Sequence, residues 1–458
     1  MTSIAFPRNF LWGAATSACQ IEGSPKADGA VPSIWHDFAL KKGKIKDGST
    51  PDRACDHYRR YREDVGIMKD LGLNAYRFSI AWPRIFPEPG RINPGGIDFY
   101  SRLADALLEA GIRPFATLFH WDAPRWFQEA GGLVRRSSVD ALVEYGTAVF
   151  KRLGDRIKDW ITLNEPSLFA FFGYGLGIWP PGKKNALGSA YRVSHHELLG
   201  HARLVEAFHS LVPGGKIGLA HHFVWVCPAD RERSRDVEAA DFMDDGANRF
   251  YMDALYFGRY PEKIVRRMGR FLPRGFEKDF PSMKKPGDFI GINYYTRNIY
   301  RHSFLQPFTQ AKEIRDPASP YSTMWEIYPQ GIYKALLRLR DVYGNPPCYI
   351  TENGYPLPDA PGTDPLLDTE RIAYTSDHLA LVGKAIQEGA DCRGYFHWSL
   401  MDNWEWAHGF SMRFGLVRTD FDTQARTWKA SAGWYRDLVG RNRIEIERLP
   451  RIDGVYDQ

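Results

Sequence analysis

Two short apolar stretches each end in a glutamate that a strand-breaking residue follows. One is residues 349–354, YITENG, and the other is residues 160–166, WITLNEP. A carboxylate in this position is displayed at the open end of a strand in a parallel barrel. Cleavage of a glycosidic bond requires two such carboxylates, because one protonates the leaving oxygen and the other attacks the anomeric carbon. Glu165 and Glu352 are therefore the first candidate pair.

The two glutamates need opposite ionisation states. A nucleophilic Glu352 has to stay ionised, and Arg77, on another predicted strand, would hold its pKa low. Glu165 has to carry a proton, and burial together with the charge of Glu352 would raise its pKa. Asn164, beside the acid, is a candidate donor to the sugar 2-hydroxyl, although spacing alone equally fits a turn-forming asparagine. Taken alone, Glu352 would fit a surface salt bridge.

Two further strand ends carry polar and aromatic residues. His120 and Trp121 end one strand, where a satisfied buried histidine is the alternative interpretation of His120. Residues 396–406, FHWSLMDNWEW, hold three tryptophans and two acids, more than packing alone needs. Trp398 is a candidate stacking floor for a sugar ring, and Glu405 can accept hydrogen bonds from two hydroxyls at once. Some of these tryptophans belong to the core, and spacing does not say which.

The elements that position these residues alternate between apolar strands and amphipathic helices. Eight such alternations, with helix-stopping glycines, predict an α/β fold in which residues 1–458 form a single (β/α)8 TIM-barrel catalytic domain. A doubly wound open sheet would need a GxGxxG loop, which residues 13–23 lack. Long loops at 41–52, 180–189 and 302–322 are expected over one barrel face, around a deep pocket. The predicted strands are 10–17, 75–80, 114–120, 160–165, 217–223, 288–295, 349–351 and 394–400, and the predicted helices are 55–71, 97–110, 137–153, 191–211, 236–257, 331–343, 369–388 and 428–439.

Composition excludes several classes of function. The 458 residues carry a net charge of +5 without a basic stripe, which argues against a nucleic-acid partner. The five cysteines lack CxxC spacing, so reduced thiols and a cytoplasmic location are expected. The N-terminus does not resemble a signal peptide, and no apolar run reaches membrane-spanning length. Aromatic residues make up 14% of the chain, with 14 Trp, which fits a large core or a pocket that stacks sugar rings.

Four motifs together carry a resemblance to a known family. They are residues 10–16 with 20–23 (FLWGAAT and QIEG), 162–166 (TLNEP), 350–354 (ITENG) and 398–403 (WSLMDN). From about Phe6 to Leu438 the chain resembles glycoside hydrolase family 1, the β-glucosidase family. The resemblance implies a (β/α)8 barrel and hydrolysis of β-glycosides with retained configuration. It makes Glu165 the acid/base and Glu352 the nucleophile, which Arg77 and Tyr295 would hold.

The resemblance also implies a set of substrate-binding residues. Trp398 would lie beneath the sugar ring, followed by a cis peptide bond, and Trp325 would border the leaving group. Because Glu165 is kept, O-glycosides are expected. Because Glu405 and Trp406 are kept, an unphosphorylated sugar is expected, since a carboxylate repels phosphate. The full set is Gln20, His120, Trp121, Asn164, Asn293, Trp325, Trp398, Glu405 and Trp406.

One position departs from the family pattern. Family members place Tyr, Phe, Asn or His before the glutamine that corresponds to Gln20, whereas this chain has Cys19. Strand alternation would point Cys19 away from Gln20. Altered packing of the pocket wall is expected, with the chemistry kept and the leaving-group preference open.

The expected function is hydrolysis of terminal non-reducing β-D-glucosyl residues, with β-galactosyl and β-fucosyl residues left open. The expected partners are small β-glucosides or short β-linked oligosaccharides, without a metal, a cofactor or a membrane; a homo-oligomer stays open. A transglycosylase would use the same two glutamates. A non-catalytic sugar-binding scaffold would tolerate the loss of either one. A metal-dependent barrel hydrolase is suggested by His195-His196 and His221-His222, but adjacent residues point to different sides.

Overall fold

The barrel is formed by eight parallel strands. The computed structural model describes residues 2–359 and 362–452. Each strand pairs in parallel with the next along the chain, and the last pairs with the first, which closes the ring. The prediction of a (β/α)8 barrel is therefore confirmed. The strands are β1 (Leu11–Ala15), β2 (Ala75–Ser79), β3 (Arg113–Phe119), β4 (Asp159–Asn164), β5 (Lys216–Pro228), β6 (Phe289–His302), β7 (Cys348–Asn353) and β8 (Cys392–Trp398).

The helices of the outer layer lie close to the predicted positions. The predicted helix 236–257 is interrupted by a π-helical turn, Asp245–Arg249. Ser137 precedes its helix without a side-chain capping bond, because its backbone is already helical. Within the described residues, no helix combines the length and apolarity needed to cross a membrane. The helices are His57–Asp70, Pro94–Glu109, Ser138–Leu153, Leu187–Leu211, Ser234–Asp244 with Phe250–Phe257, Gln330–Val342, Thr369–Gln387 and Ala430–Arg441.

Aromatic side chains fill the lower part of the barrel. The Phe115 ring lies 5.0 Å from Phe396 and 5.3 Å from Tyr349 (between centroids), and Tyr349 lies 5.1 Å from Phe289. These residues come from four different strands and belong to one apolar cluster inside the ring. A second, larger cluster packs the outer faces of the strands against the helices. Because the lower interior is filled, a substrate can enter only at the carboxyl ends of the strands.

Two strands continue well beyond the barrel. β5 has 13 residues and β6 has 14, and their outer halves stay paired from Trp225↔Arg297 to Pro228↔Tyr300. A further strand, Ala311–Ile314, pairs antiparallel with the outer part of β6. The predicted sixth strand stopped at residue 295, because the polar sequence after it hides this extension. The result is a wall beside the barrel opening that leads into the loop carrying Trp325.

Candidate active site

Both candidate glutamates lie at the carboxyl edge of the barrel and are buried. Glu165 follows β4 directly, with φ +44°, and Glu352 is the fifth residue of β7. Their exposed fractions are 3% and 4%. Trp121 and Trp406 also have positive φ, 73° and 49°. Left-handed backbone is rare at such bulky residues, and its concentration around one pocket indicates a site that the surrounding structure holds in place.

Glu352 contacts one cation and one phenol. The Arg77 Nη1 donates to Glu352 Oε1 at 2.5 Å, and the Tyr295 hydroxyl donates to Oε2 at 2.8 Å. Arg77 is fully buried and also donates from Nη2 to Asn164 Oδ1 at 2.5 Å. Both carboxylate oxygens of Glu352 are thus held, and the structure places Arg77 and Tyr295 where the family resemblance implied.

Glu165 contacts a neutral amide instead. The Asn293 Nδ2 donates to Glu165 Oε1 at 2.9 Å and to Asn164 Oδ1 at 3.0 Å. The same amide also lowers the pKa of Glu352, so it neighbours both carboxylates. Its oxygen accepts from Thr351 Oγ1 at 2.7 Å. Thr351 was not singled out from the sequence, although its place directly before Glu352 could have drawn attention to it.

The pKa values of the two glutamates differ in the expected sense. Burial, and then the charge of Glu352, raise the pKa of Glu165 well above its usual range. Burial also raises the pKa of Glu352, while Arg77 and the Tyr295 hydroxyl lower it. The predicted low pKa of Glu352 was therefore wrong in direction, because desolvation outweighs the cation. Glu165 remains the weaker acid of the pair, and a single shared proton belongs on it.

His120 and Asn164 are hydrogen-bonded to each other. The Asn164 Nδ2 donates to His120 Nε2 at 3.0 Å, since its oxygen accepts from Arg77 and Asn293. Burial, and then the charge of Arg77, lower the pKa of His120 well below its usual range, so the ring is neutral. Its proton therefore sits on Nδ1, which has no hydrogen-bond partner in the described chain. The amide donor predicted for the sugar 2-hydroxyl is thus shared with His120.

Gln20 and Glu405 form another polar edge of the pocket. The Gln20 Nε2 donates to Glu405 Oε2 at 3.1 Å and to Asn403 Oδ1 at 3.0 Å. Burial and the charge of Glu352 raise the pKa of Glu405 to about 8. Cys19 lies on a short helix, Ala18–Ile21, so the strand argument for its direction was wrong. Its thiol nevertheless faces Ser33, at 3.9 Å, while Gln20 faces Glu405.

Tryptophans form a continuous wall around these polar groups. The rings of Trp398 and Trp406 each lie 5.9 Å from His120 and nearly parallel to it. Trp121 packs against Trp406 at 4.9 Å. Trp325 packs 4.9 Å from Tyr295, and the peptide bond after Trp398 is cis, as the resemblance implied. Two further tryptophans of this wall could not be selected from the sequence, because they lie in segments without a motif. Trp35 lies 4.6 Å from Trp406, and Trp179 lies 4.4 Å from Trp121. Trp404 is fully buried core.

His195 and His196, one of the two pairs that suggested a metal, serve other contacts. The His195 ring bonds to the Tyr260 hydroxyl and to Asp279, both at 2.8 Å. The His196 ring bonds to the Leu133 carbonyl at 2.7 Å. The two rings thus face different neighbours on different elements, as adjacent helical positions require. This geometry gives the pair no shared ligand position.

Gly354 is required by a close approach of two backbones. A Cβ atom at this position would lie 1.8 Å from the Trp398 carbonyl oxygen. We expect Gly354→Ala to lower the free energy of unfolding by about 1–3 kcal/mol or more, because backbone has to move. Urea denaturation measures this. The matched control is Gly66→Ala, on a helix with open space around the new methyl group, which should stabilise by up to about 1 kcal/mol. Equal effects of both substitutions would contradict the packing argument.

Comparisons with known proteins agree with this geometry. The family model described as glycosyl hydrolase family 1 matches residues 2–444. Beta-glucosidase A of Thermotoga maritima is 44% identical over 444 residues, which is 96% of this chain and 99% of that protein. Beta-glucosidase A of Acetivibrio thermocellus is 42% identical over 451 residues, 96% of this chain and 100% of that protein.

A solved structure gives the same result. The beta-glucosidase from Thermotoga maritima in complex with glucoimidazole superimposes with a TM-score of 0.92 at 43% identity, covering 96% of this chain and 99% of that one. The match in sequence and fold thus extends over nearly the whole length of both chains. This chain is a glycosidase that belongs to glycosyl hydrolase family 1, as its four motifs predicted.

Proposed function

We propose that this chain is a retaining β-glucosidase that works as one catalytic unit, with Glu352 as nucleophile and Glu165 as acid/base. The observation that carries the proposal is the asymmetric setting of the two buried carboxylates. Arg77 and a phenol hold Glu352, and a neutral amide holds Glu165. Curated relatives named beta-glucosidase, 42–44% identical over nearly the whole chain, support a β-glucoside as the substrate.

The first step forms a glycosyl-enzyme. An oxygen of Glu352 attacks the anomeric carbon while the proton of Glu165 passes to the departing glycosidic oxygen. Arg77 cannot leave the site, because it is buried and held by the Thr351 carbonyl (3.0 Å) and Asn164. It therefore stabilises the carboxylate before attack and the ester oxygen afterwards.

The second step releases the sugar. Glu165, now ionised, takes a proton from water, which attacks the same carbon from the face that the leaving group vacated. The shared amide of Asn293 supports this two-step course. Because this amide bonds to Glu165 Oε1 at 2.9 Å and also lowers the pKa of Glu352, the two carboxylates lie close together, as the retaining mechanism requires.

Polar and aromatic side chains supply the binding of the sugar. Gln20 and Glu405 present paired donors and acceptors, and the unpartnered Nδ1–H of His120 is a further donor. Trp398 offers the stacking face, and Trp121 and Trp406 form the wall beside it. Trp325, next to Tyr295, borders the side from which the leaving group departs. Glu405 disfavours a phosphorylated sugar, because its ionised form would repel the phosphate, so a small neutral glucoside is the substrate class.

Time-resolved proton NMR of an aryl β-D-glucoside tests the proposal. We expect β-glucose to appear first and to mutarotate later. Initial α-glucose would overturn the nucleophile assignment. Release of the phenol without an equivalent amount of glucose would mean that a second sugar is the acceptor, as in a transglycosylase. Absence of both products would favour a sugar-binding scaffold.

The pH dependence follows from the direction of the pKa shifts. The first step needs protonated Glu165, so kcat/KM falls as pH rises through the raised pKa of this group. It also needs ionised Glu352, so kcat/KM falls as pH drops through its pKa. We expect the alkaline limb well above the ordinary glutamate value of about 4.3. An alkaline limb close to that value would contradict the buried, protonated state of Glu165.

A further inference from the structure

Thr351 lies directly before the nucleophile in β7. Its side chain is fully buried, and its hydroxyl donates to Asn293 Oδ1 at 2.7 Å. We propose that Thr351 is a positioning residue whose hydroxyl fixes the orientation of the Asn293 amide between the two carboxylates. The inference rests on the roles proposed above for Glu165 and Glu352.

The side-chain amide of Asn293 is planar, with its oxygen and nitrogen on opposite sides. A carboxamide whose oxygen is held on one side presents its nitrogen to the other. With Oδ1 on Thr351, Nδ2 of Asn293 faces Glu165 Oε1 at 2.9 Å and Asn164 Oδ1 at 3.0 Å. Asn164 supports the same orientation, because its Oδ1 accepts a hydrogen bond from the Asn293 nitrogen. Without the Thr351 hydroxyl, Oδ1 becomes a buried acceptor that has lost its donor, and the amide is no longer held at both ends.

The neighbouring strand leaves room for this contact. A Cβ atom on Gly291 of β6 would lie 2.7 Å from both Oγ1 and Cγ2 of Thr351. In the register of β6 and β7, Gly291 lies opposite Tyr349, and Asn293 lies opposite Glu352. The Thr351 side chain therefore occupies space that the glycine leaves, and from there it reaches Asn293. The contact between the Thr351 hydroxyl and the Asn293 amide thus depends on the absence of a Cβ atom at Gly291.

The amide influences both reacting groups. Its Nδ2–H stabilises the ionised form of Glu165, and it acts in the same sense on Glu352. Loosening or turning it removes that donor, so the pKa values of both carboxyls rise. The other titratable or charged groups facing the pair are Arg77 on β2, Tyr295 on β6, His120 after β3 and Glu405 after β8. None of these is altered by a change at Thr351.

The test compares Thr351→Val with Thr351→Ser. Valine keeps the shape and removes the hydroxyl, whereas serine keeps the hydroxyl. We expect both limbs of the pH profile of kcat/KM for an aryl β-D-glucoside to move up by about half a pH unit in the valine variant. The serine variant should keep the wild-type limbs. Gly291→Ala, which crowds the hydroxyl, should shift the limbs in the same direction as valine.

Thr162→Val is the matched control. Thr162 is a buried threonine of β4 whose hydroxyl bonds to His201 Nδ1 at 2.7 Å, away from the carboxylates. The Thr162→Val variant should lose thermal stability, as Thr351→Val does, but both limbs of its pH profile should stay at the wild-type positions. A uniform loss of activity at every pH in Thr351→Val, with both limbs of the pH profile unchanged, would overturn the proposal. Equal shifts in the valine and serine variants would overturn it as well.

The inference can fail separately from the proposed function. If the wild-type chain did not hydrolyse β-glucosides, the carboxyl carbons of ¹³C-labelled glutamate would still report ionisation by NMR. Glu165→Gln and Glu352→Gln assign the two signals. The positioning role is supported without turnover if the titration midpoints of both glutamates are higher in Thr351→Val and equal to the wild-type midpoints in Thr351→Ser. Unchanged midpoints overturn it.

Discussion

Glu352→Ala is expected to abolish hydrolysis of β-glucosides, with kcat/KM reduced by about 10⁴-fold or more. The glycosyl-enzyme cannot form without the attacking carboxylate, and no leaving-group chemistry compensates for that. Steady-state kinetics with an activated aryl β-D-glucoside measure the loss. Retained activity in protein free of wild-type enzyme would remove Glu352 from the nucleophile role; residual contamination would show itself by an unchanged KM and pH profile.

The Glu352→Ala variant should still fold. Arg77 loses its carboxylate partner and becomes a buried unpaired cation, which is destabilising. It keeps its bonds to the Thr351 carbonyl and Asn164 Oδ1, so a lower Tm with an intact circular dichroism spectrum is expected. Glu352→Gln, which preserves the volume, is the matched control. Added azide should enter the space left by the carboxylate of the alanine variant and give an α-glucosyl azide, because it attacks from the face of the nucleophile.

Glu165→Ala is expected to separate substrates by their leaving groups. Cellobiose needs a proton on its departing oxygen, so its kcat/KM should fall by about 10²–10⁴-fold. A dinitrophenyl β-D-glucoside leaves as a stable phenolate, so its first step should be largely spared. The second step slows, because water loses its general base, and both kcat and KM should then fall together. Equal losses of kcat/KM on both substrates would remove Glu165 from the acid role.

Two observations with Glu165→Ala check this assignment. The alkaline limb of the pH profile should disappear for the activated glucoside, since the group that titrates there is gone. Azide should react with the accumulated glycosyl-enzyme and release a β-glucosyl azide, the opposite anomer to that from Glu352→Ala. Glu165→Gln serves as the control for volume, because it keeps an amide in contact with Asn293. The same anomer from both variants would contradict the division of roles.

The barrel could be predicted from the sequence because each strand is a mainly apolar run and most helices end at a glycine. Positions at the strand ends then follow from the fold, which is why Glu165 and Glu352 could be selected together. The family resemblance added Gln20 and Tyr295, which periodicity alone would not single out.

Other features depend on contacts between distant segments, which one sequence does not reveal. The extension of β6 is stabilised by pairing with β5 and with Ala311–Ile314, so its polar sequence does not show it. The direction of the pKa shift of Glu352 depends on how far burial outweighs Arg77, and burial is known only once the walls are in place. Trp179 becomes part of the pocket only because its loop returns to Trp121.

The long β5–β6 wall separates recognition of the glucose unit from recognition of the aglycone, two properties that engineers often wish to change independently. The carboxylates and their supporting network lie at the barrel edge, on β2, β4, β6 and β7, whereas the outer halves of β5 and β6 carry the loop toward Trp325. Insertions, deletions or grafted sequences in residues 303–322 would reshape the entrance while the inner strand pairing stays in register. Libraries confined to that segment are the efficient way to alter which aglycones are accepted while glucose recognition is kept.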